Sequence, residues 1–427
     1  RRKKSTWTKT GPGGNIPLKT GPLTQKKPAR MRRAHAKAHH EAALERHEET
    51  GSAGAGPSLS DGADGAAAAG KAVSGPSDTP NGPYAAVPAV TAPAPPWDES
   101  IVLVTRGSLV ENVHRGRICV VSADDGKVLA AVGDPEAPAF LRSTAKPVQA
   151  LGALLAGAGE AFGLDSRHVA LMCASHRGTA AQMEALEEML LRTGLAEERL
   201  AMRPDSPLDE EAKIAWIREG GRKRRLFHQC AGKHLGMLAW CKLRGWPLEG
   251  YTRPDHPAQR ETLARVAAWA GVPPEAVVSA VDGCDLPTFA VPLRGIALTY
   301  ARLACPEAAP EGEAEAARRA AEAMNRHPGL VEGPGRLASV LLEDPNLVAK
   351  SGAQGVFAVG LRRQRVGAAI VVSDGAESAL PAAVRAVLMR FGAWTPELEE
   401  RFARWYPDGL VSATGEPAGR RVPAFRW

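Results

Sequence analysis

The chain has 427 residues, of which 44% are hydrophobic and 24% charged, the balance of an ordinary globular protein. Its formal net charge is +7, yet residues 1–50 hold 13 Lys and Arg against 4 Asp and Glu, so that segment is +9 and the rest of the chain sums to −2. The basic character belongs to one end, which excludes a cationic folded body of the nucleic-acid-binding kind, and the chain contains no run of eighteen apolar residues to form a transmembrane helix.

Residues 1–50 carry clusters such as QKKPARMRR and AHAKAHHEAALERHEE, and residues 51–97 are almost entirely Gly, Ala, Ser, Pro, Asp and Thr. Neither stretch can bury a core, so residues 1–97 are expected to be a disordered tail. A short helix over Ala34–His47 would have no apolar stripe to dock. The first residue is Arg1 rather than Met, and the tail is read as a fragment or an artefact of where the reading frame starts, with a polybasic arm for nucleic acid or membrane as the alternative. No apolar h-region follows the basic start, so export is not expected.

Residues 98–427 are expected to fold as one domain. SIVLVTRGSLVENVHRGRICVVSADDGKVLAAVGD reads as antiparallel hairpins broken at Arg-Gly and Asp-Asp-Gly turns. From about Thr144 to Arg336 helical periods take over: in TAAQMEALEEMLLRTG, Met183, Leu186, Met189 and Leu190 share one face and Gly194 ends the helix. After Asn346 come GVFAVGL, a charged RRQR turn, VGAAIVVSDG and a helix through PAAVRAVLMRFG. Strands at both ends with helices between predict an α/β (α+β) fold, one antiparallel sheet built from both termini with an inserted helical region beside it.

The first chemical candidate is Leu141-Arg142-Ser143-Thr144-Ala145-Lys146-Pro147, where a hydroxyl and an amine stand three positions apart at a helix start. At that spacing the side chains share a face, with Cβ atoms roughly 5–6 Å apart. Pro147 places the helix start close to Ser143, where the helix dipole favours developing negative charge. As a base Lys146 must be neutral, and a free lysine is neutral in only about one molecule in 2,500 at pH 7. Burial and a second cation can lower that pKa, and Lys350-Ser351-Gly352 before a strand offers the cation. Ser-x-x-Lys with Lys-Ser/Thr-Gly is the set used by β-lactamases and penicillin-binding proteins, and Gly352 would let a ligand approach the strand backbone.

Ser175 and His176 follow the apolar run HVALMCA, a placement read as a strand-to-helix turn of the kind where active sites sit. Cys230-Ala231-Gly232-Lys233-His234 and Val281-Asp282-Gly283-Cys284 form the third candidate. By spacing alone this is a poor metal motif, and buried structural cysteines are the default reading, with a thiolate activated by Lys233 as the alternative. The Gly-Lys there lacks the glycine-rich cradle of a P-loop. The six cysteines, Cys119, Cys173, Cys230, Cys241, Cys284 and Cys305, are too sparse for a disulfide scaffold and suit a reducing cytoplasm.

Taken in order, VTRGSLVENVHRG, LRSTAKPVQA, CASHRG, CAGKHLGML, YTRPDHPAQR, VDGCDLPTFAVPL and VAKSGAQGVFAVGL resemble the asparaginase II family, typified by a rhizobial asparaginase, from about Ser100 to Gly375. The resemblance implies hydrolysis of L-asparagine to L-aspartate and ammonia, in a fold similar to serine β-lactamases and class A glutaminases. It implies two serine and lysine pairs, Ser143 with Lys146 and Ser175 with Lys350, either serine being the nucleophile of an acyl-enzyme. It further implies zinc held by Cys230, Lys233 and Cys284, with Asp282 and His234 beside the substrate. Arg142 or Arg177 would take the substrate carboxylate and Asp282 its ammonium. Backbone N–H groups after Ser143 or after Lys350 are the expected oxyanion donors.

A small amino-acid substrate, a homodimer and a cytoplasmic location complete the expectation, with no membrane association and no nucleic acid except through the tail. Arg177, Thr179 and Ala231 depart from the family pattern, which expects smaller or acidic residues after Ser-His and a serine before Gly-Lys-His. The rival readings are a penicillin-interacting or β-lactamase-like enzyme and a non-catalytic binding protein with a basic tail. The two-domain asparaginases and N-terminal-threonine hydrolases do not fit, since their threonine motifs are absent.

Overall fold

The computed structural model describes residues 97–427, so the expectations of tail disorder, a basic arm and a helix over Ala34–His47 lie outside the described residues. Strands β1 (Glu99–Arg106) and β2 (Leu109–Ser122) form the first hairpin, and β3 (Val128–Val132) returns along the second half of β2. A short strand β4 (Pro138–Phe140) leads through a 3₁₀ turn at Arg142–Ala145 into helix α1 (Lys146–Leu155).

Six helices follow: α2 (Ala158–Phe162), α3 (Ser166–Met172), α4 (Ala180–Thr193), α5 (Glu210–Arg218), α6 (Ala231–Arg244) and α7 (Pro257–Ala270). In α4, Met183, Leu186 and Met189 are buried as the periodicity predicts, and Gly194 ends the helix with φ +62°. Strands β5 (Val278–Val281) and β6 (Pro287–Pro292) join β4 in a separate sheet of order β4-β6-β5.

The chain continues through α8 (Leu293–Ala304), α9 (Ala314–Arg326), α10 (Pro328–Val331) and α11 (Leu337–Leu342) into strands β7 (Leu347–Gly352), β8 (Val356–Leu361) and β9 (Val366–Val372). Helices α12 (Leu380–Arg390) and α13 (Pro396–Trp405) and a terminal hairpin, β10 (Gly409–Val411) and β11 (Pro417–Pro423), complete it. The main sheet runs β10-β11-β1-β2-β9-β8-β7 with β3 beside β2, every pair antiparallel. Strands from the two ends of the domain are thus interleaved and the helical region is inserted between them, as the sequence pattern predicts.

Every residue of β8 and β9 is buried, so both faces of the sheet are covered there, and α8 and α12 both pack on β9. Close approach of α8 depends on two glycines. A Cβ at Gly367 would stand 2.1 Å from Ala297 O, and one at Gly360 would stand 2.1 Å from Tyr300 O.

One local expectation is corrected. HVALMCA is helical, not a strand, because Asp165 caps α3: its carboxylate accepts from Arg167 N–H at 2.8 Å and its own N–H donates to His168 Nδ1 at 3.0 Å. A short apolar run cannot by itself be assigned to strand or buried helix, and here the cap decides. Ser175 therefore lies on a connection between two helices.

Candidate active site

Lys146 is the first residue of α1, with Pro147 in the first turn where a proline costs no hydrogen bond. Its side chain is fully buried, and three groups converge on Nζ: Ala174 O at 2.7 Å, Ser175 Oγ at 2.9 Å and Gln229 O at 3.4 Å. A neutral amine has two hydrogens and one lone pair. With the two carbonyls taking the hydrogens, the lone pair is left for the Ser175 hydroxyl proton. Burial, with the cations of Lys233 and Lys350 adding to it, lowers the Lys146 pKa to about 8, against a smaller opposing pull from Cys230.

Ser175 is held for this contact by its backbone, whose N–H donates to Val331 O at 2.8 Å. The next residue, His176, is fully buried, and its Nδ1 accepts from Gly178 N–H at 3.2 Å. Burial, then the nearby Lys146, pushes its pKa down to about 4, so its imidazole is neutral at pH 7.

Ser143 lies on the 3₁₀ turn before α1 and borders the same cleft as Ser175, a space of about 150 Å³ also lined by Arg177, Gln229, Glu332 and Arg336. Among the described residues its hydroxyl makes no hydrogen bond to another side chain. The preceding residue, Arg142, has φ +50°, a left-handed conformation that costs a non-glycine residue on the order of 1 kcal/mol. That bend lets the Arg142 guanidinium donate to Asp282 Oδ1 at 2.9 and 3.2 Å while the following serine borders the cleft.

The pairing differs from the expected one. Lys146 bonds Ser175 rather than Ser143, and Lys350, on β7, is ion-paired with the buried Glu332 and also donates to Ser351 O at 2.9 Å. Glu332 holds the strand as well, accepting from Ser351 N–H and Ser351 Oγ, both at 2.9 Å. Lys350 is thus a donor in an ion pair and makes no hydrogen bond to Ser175. Glu332 escaped the sequence reading because it stands in no motif, between the short helix α10 and a turn; the signal available was an acidic residue directly before Gly333-Pro334-Gly335.

The oxyanion donors are also narrowed. Thr144 N–H is bonded to Leu141 O at 3.1 Å and Ser351 N–H to Glu332, whereas Ser143 N–H and Ala353 N–H, both lining the cleft, make no turn or loop hydrogen bond among the described residues. Gly352 serves packing: a Cβ there would meet Leu141 O at 2.9 Å, so glycine lets β7 press against the turn that carries Ser143.

The Cys230, Lys233 and Cys284 side chains do converge. Cys230 immediately precedes α6 and Cys284 lies on the turn between β5 and β6; all three are buried, and Lys233 Nζ donates to Cys284 Sγ at 3.1 Å. Contact with Cys284 holds Cys230 well below the usual thiol value, and the same contact raises Cys284. Burial works to lower Lys233, but the two sulfurs outweigh it and hold its ammonium above the usual lysine range. Two sulfurs and one nitrogen suit zinc with a fourth position open, provided the amine gives up its proton. Among the described residues no group of three His, Cys, Asp or Glu is arranged to hold a metal.

The other expected substrate contacts lie outside the 150 Å³ cleft. His234 is fully buried with Nδ1 2.6 Å from the Tyr251 hydroxyl, and Asp282 is engaged by Arg142 and by Gly283 N–H at 2.8 Å. Arg177 does line the cleft, its guanidinium donating to Leu208 O at 2.7 Å, and Thr179 is the residue immediately before α4. All six cysteines are free and buried, and among the described residues no helix is long and apolar enough to cross a membrane.

The sequence model of the family described as L-asparaginase II matches residues 102–423. No curated protein matches the chain. Among solved structures, a β-lactamase from Mycobacterium bovis is similar at 14% identity and TM-score 0.34, over 65% of this chain and 94% of that one. A Bacillus subtilis glutaminase, solved as a covalent complex with 5-oxo-L-norleucine, is similar at 16% identity and TM-score 0.28, over 61% of this chain and 80% of that one.

Proposed function

Because the chain belongs to the L-asparaginase II family, whose members are amide hydrolases, we propose that it converts L-asparagine and water to L-aspartate and ammonia through a serine acyl-enzyme with Lys146 as the base. The observation that carries this reading is the 2.9 Å contact between Lys146 Nζ and Ser175 Oγ, made by a buried amine whose pKa is lowered to about 8. Lys146 takes the hydroxyl proton and the alkoxide attacks the carboxamide carbon. The C–N bond breaks, the nitrogen leaves as ammonia with that proton, and water hydrolyses the ester to aspartate. Ser143 N–H and Ala353 N–H, both on the cleft and neither in a turn or loop hydrogen bond among the described residues, are donors available to the oxyanion.

Ser175 is the nucleophile this contact favours. A second reading has Ser143 attack, with its proton passing through Ser175 to Lys146; it is supported by the unbonded Ser143 hydroxyl at the start of α1, where the helix dipole favours negative charge. Zinc, held by Cys230, Lys233 and Cys284, would add a fixed positive charge and Lewis acidity.

Ammonia release from L-asparagine and L-glutamine, measured for the wild type and for Ser143→Ala and Ser175→Ala, tests the proposal. Mass spectrometry of enzyme quenched during turnover then locates the ester. Release from asparagine with an adduct on Ser175 is the expected result. Folded protein that releases ammonia from neither amide would overturn the amidase reading, and an adduct on Ser143 would replace the nucleophile.

A further inference from the structure

A second chamber adjoins the cleft and is larger, about 310 Å³ against about 150 Å³, the two sharing Arg336, Ser351 and Glu377 as walls. The smaller space suits a free amino acid, whereas larger organic ligands occupy pockets of roughly 300 Å³ and more. The wall of the second chamber is apolar along Leu337, Leu380 and Pro407 and carries the indole of Trp405, which is 51% exposed. A half-exposed tryptophan presents a large planar contact surface at low entropic cost. Trp405 is fixed in place: it packs so closely on the turn after Glu332 that a Cβ at Gly335 would stand 2.5 Å from its ring, and the Tyr406 hydroxyl donates to Gly335 O at 2.9 Å.

The charges of the chamber are mostly spent on each other. Arg336 pairs with Glu377 at 3.1 Å, and Asp408 pairs with Arg385. Arg421, on β11, is the lining cation that has no ion-pair partner among the described residues, and it is only part-exposed. A planar apolar surface with one unspent guanidinium is complementary to an aromatic or apolar group that ends in an anion.

We infer that this chamber is a subsite for a substituent on the nitrogen of the scissile amide, a planar or apolar group lying against Trp405 and ending in a carboxylate or similar anion at Arg421. The inference rests on the amide-hydrolase reading above and names its substrate class: N-substituted side-chain amides larger than asparagine. The reaction keeps the same balance, water adding across the C–N bond to release L-aspartate and the substituted amine in place of ammonia.

The test compares L-aspartate β-anilide with L-aspartate β-(4-carboxyanilide) on the full chain, measuring arylamine release beside ammonia release from L-asparagine. Binding of 4-aminobenzoate, the charged leaving amine, is measured by calorimetry. The expected result is a kcat/KM about tenfold higher for the carboxyanilide than for the anilide, as one charge-assisted contact allows, with the ratio falling to near one in Arg421→Ala. 4-Aminobenzoate should bind the wild type and bind Arg421→Ala more weakly by a similar factor.

Ammonia release from asparagine with neither anilide hydrolysed would overturn the subsite and leave the function standing. So would a ratio that survives in Arg421→Ala, or the same advantage appearing instead for an α-N-(4-carboxybenzoyl) asparagine. If no amide is hydrolysed, the function fails separately, and the binding of 4-aminobenzoate still decides whether Arg421 makes an anion site.

Discussion

Glu332 and Lys350, eighteen residues apart, form an ion pair with side chains only 4% and 0% exposed, and the same carboxylate binds the backbone and hydroxyl of Ser351. The pair ties the turn after α10 to strand β7 at the edge of the cleft that Ser143 and Ser175 line. It also occupies the lysine that the motif pattern assigns to Ser175.

Removing one member of such a pair strands a buried charge. Glu332→Gln is expected to destabilise the fold by about 3–5 kcal/mol, and adding Lys350→Met should recover much of that loss. Urea unfolding followed by tryptophan fluorescence measures both; a wild-type midpoint for Glu332→Gln would show that the pair contributes little.

The proposal that Lys146 is the base predicts a pH dependence. The amine must be unprotonated to accept a proton, so kcat/KM for asparagine should rise about tenfold per pH unit below about pH 8 and level off above it. Lys146→Ala should lower kcat by about 10²–10⁴-fold with far-UV circular dichroism unchanged. A flat profile between pH 6 and 9 in the wild type would remove Lys146 from the role.

His176 makes the fold sensitive to acid. Its folded pKa is depressed to about 4 from an ordinary 6.5, so between those values the unfolded chain binds a proton that the native chain does not. The stability contribution is present above about pH 6.5 and is lost as pH falls through about 4, a decline of about 3 kcal/mol from this residue. His176→Gln should flatten that decline in denaturation midpoints recorded from pH 7 to pH 4. An unchanged slope would assign the acid sensitivity to other groups.

The sulfur and amine cluster can be tested without an activity assay. Protein purified without chelator should carry close to one zinc per chain by plasma mass spectrometry, and Cys230→Ser and Cys284→Ser should each lower that content steeply. A metal-free wild type after zinc loading and desalting would leave the three side chains as a buried ion pair with a shared thiol proton.

The chain's own order of residues determined a good deal. Apolar runs between turn residues placed β1, β2, β8 and β9, and a 3.6-residue period placed α4, because both report which side chains must be buried whatever they are buried against. Ser143, Ser175 and Lys146 stood out as motif residues; both serines line one cleft, and the buried Lys146 bonds Ser175. Cys230, Lys233 and Cys284 were singled out the same way and do converge.

Tertiary structure alone decided the partners. Lys146 has Ser143 three residues away and Ser175 twenty-nine residues away, yet it bonds the distant one, because the loop after α3 is pinned to α10 by the Ser175 N–H. Lys350 goes to Glu332, which stands in no motif and reaches β7 only when α10 and α11 have packed. The hairpin β10–β11, with its glycines, prolines and arginines, shows no periodicity and becomes a strand pair by hydrogen bonding to β1. Spacing along a chain fixes which side chains share a face of one element; which lone pair meets which proton depends on how separate elements dock, through contacts that have no local pattern to read.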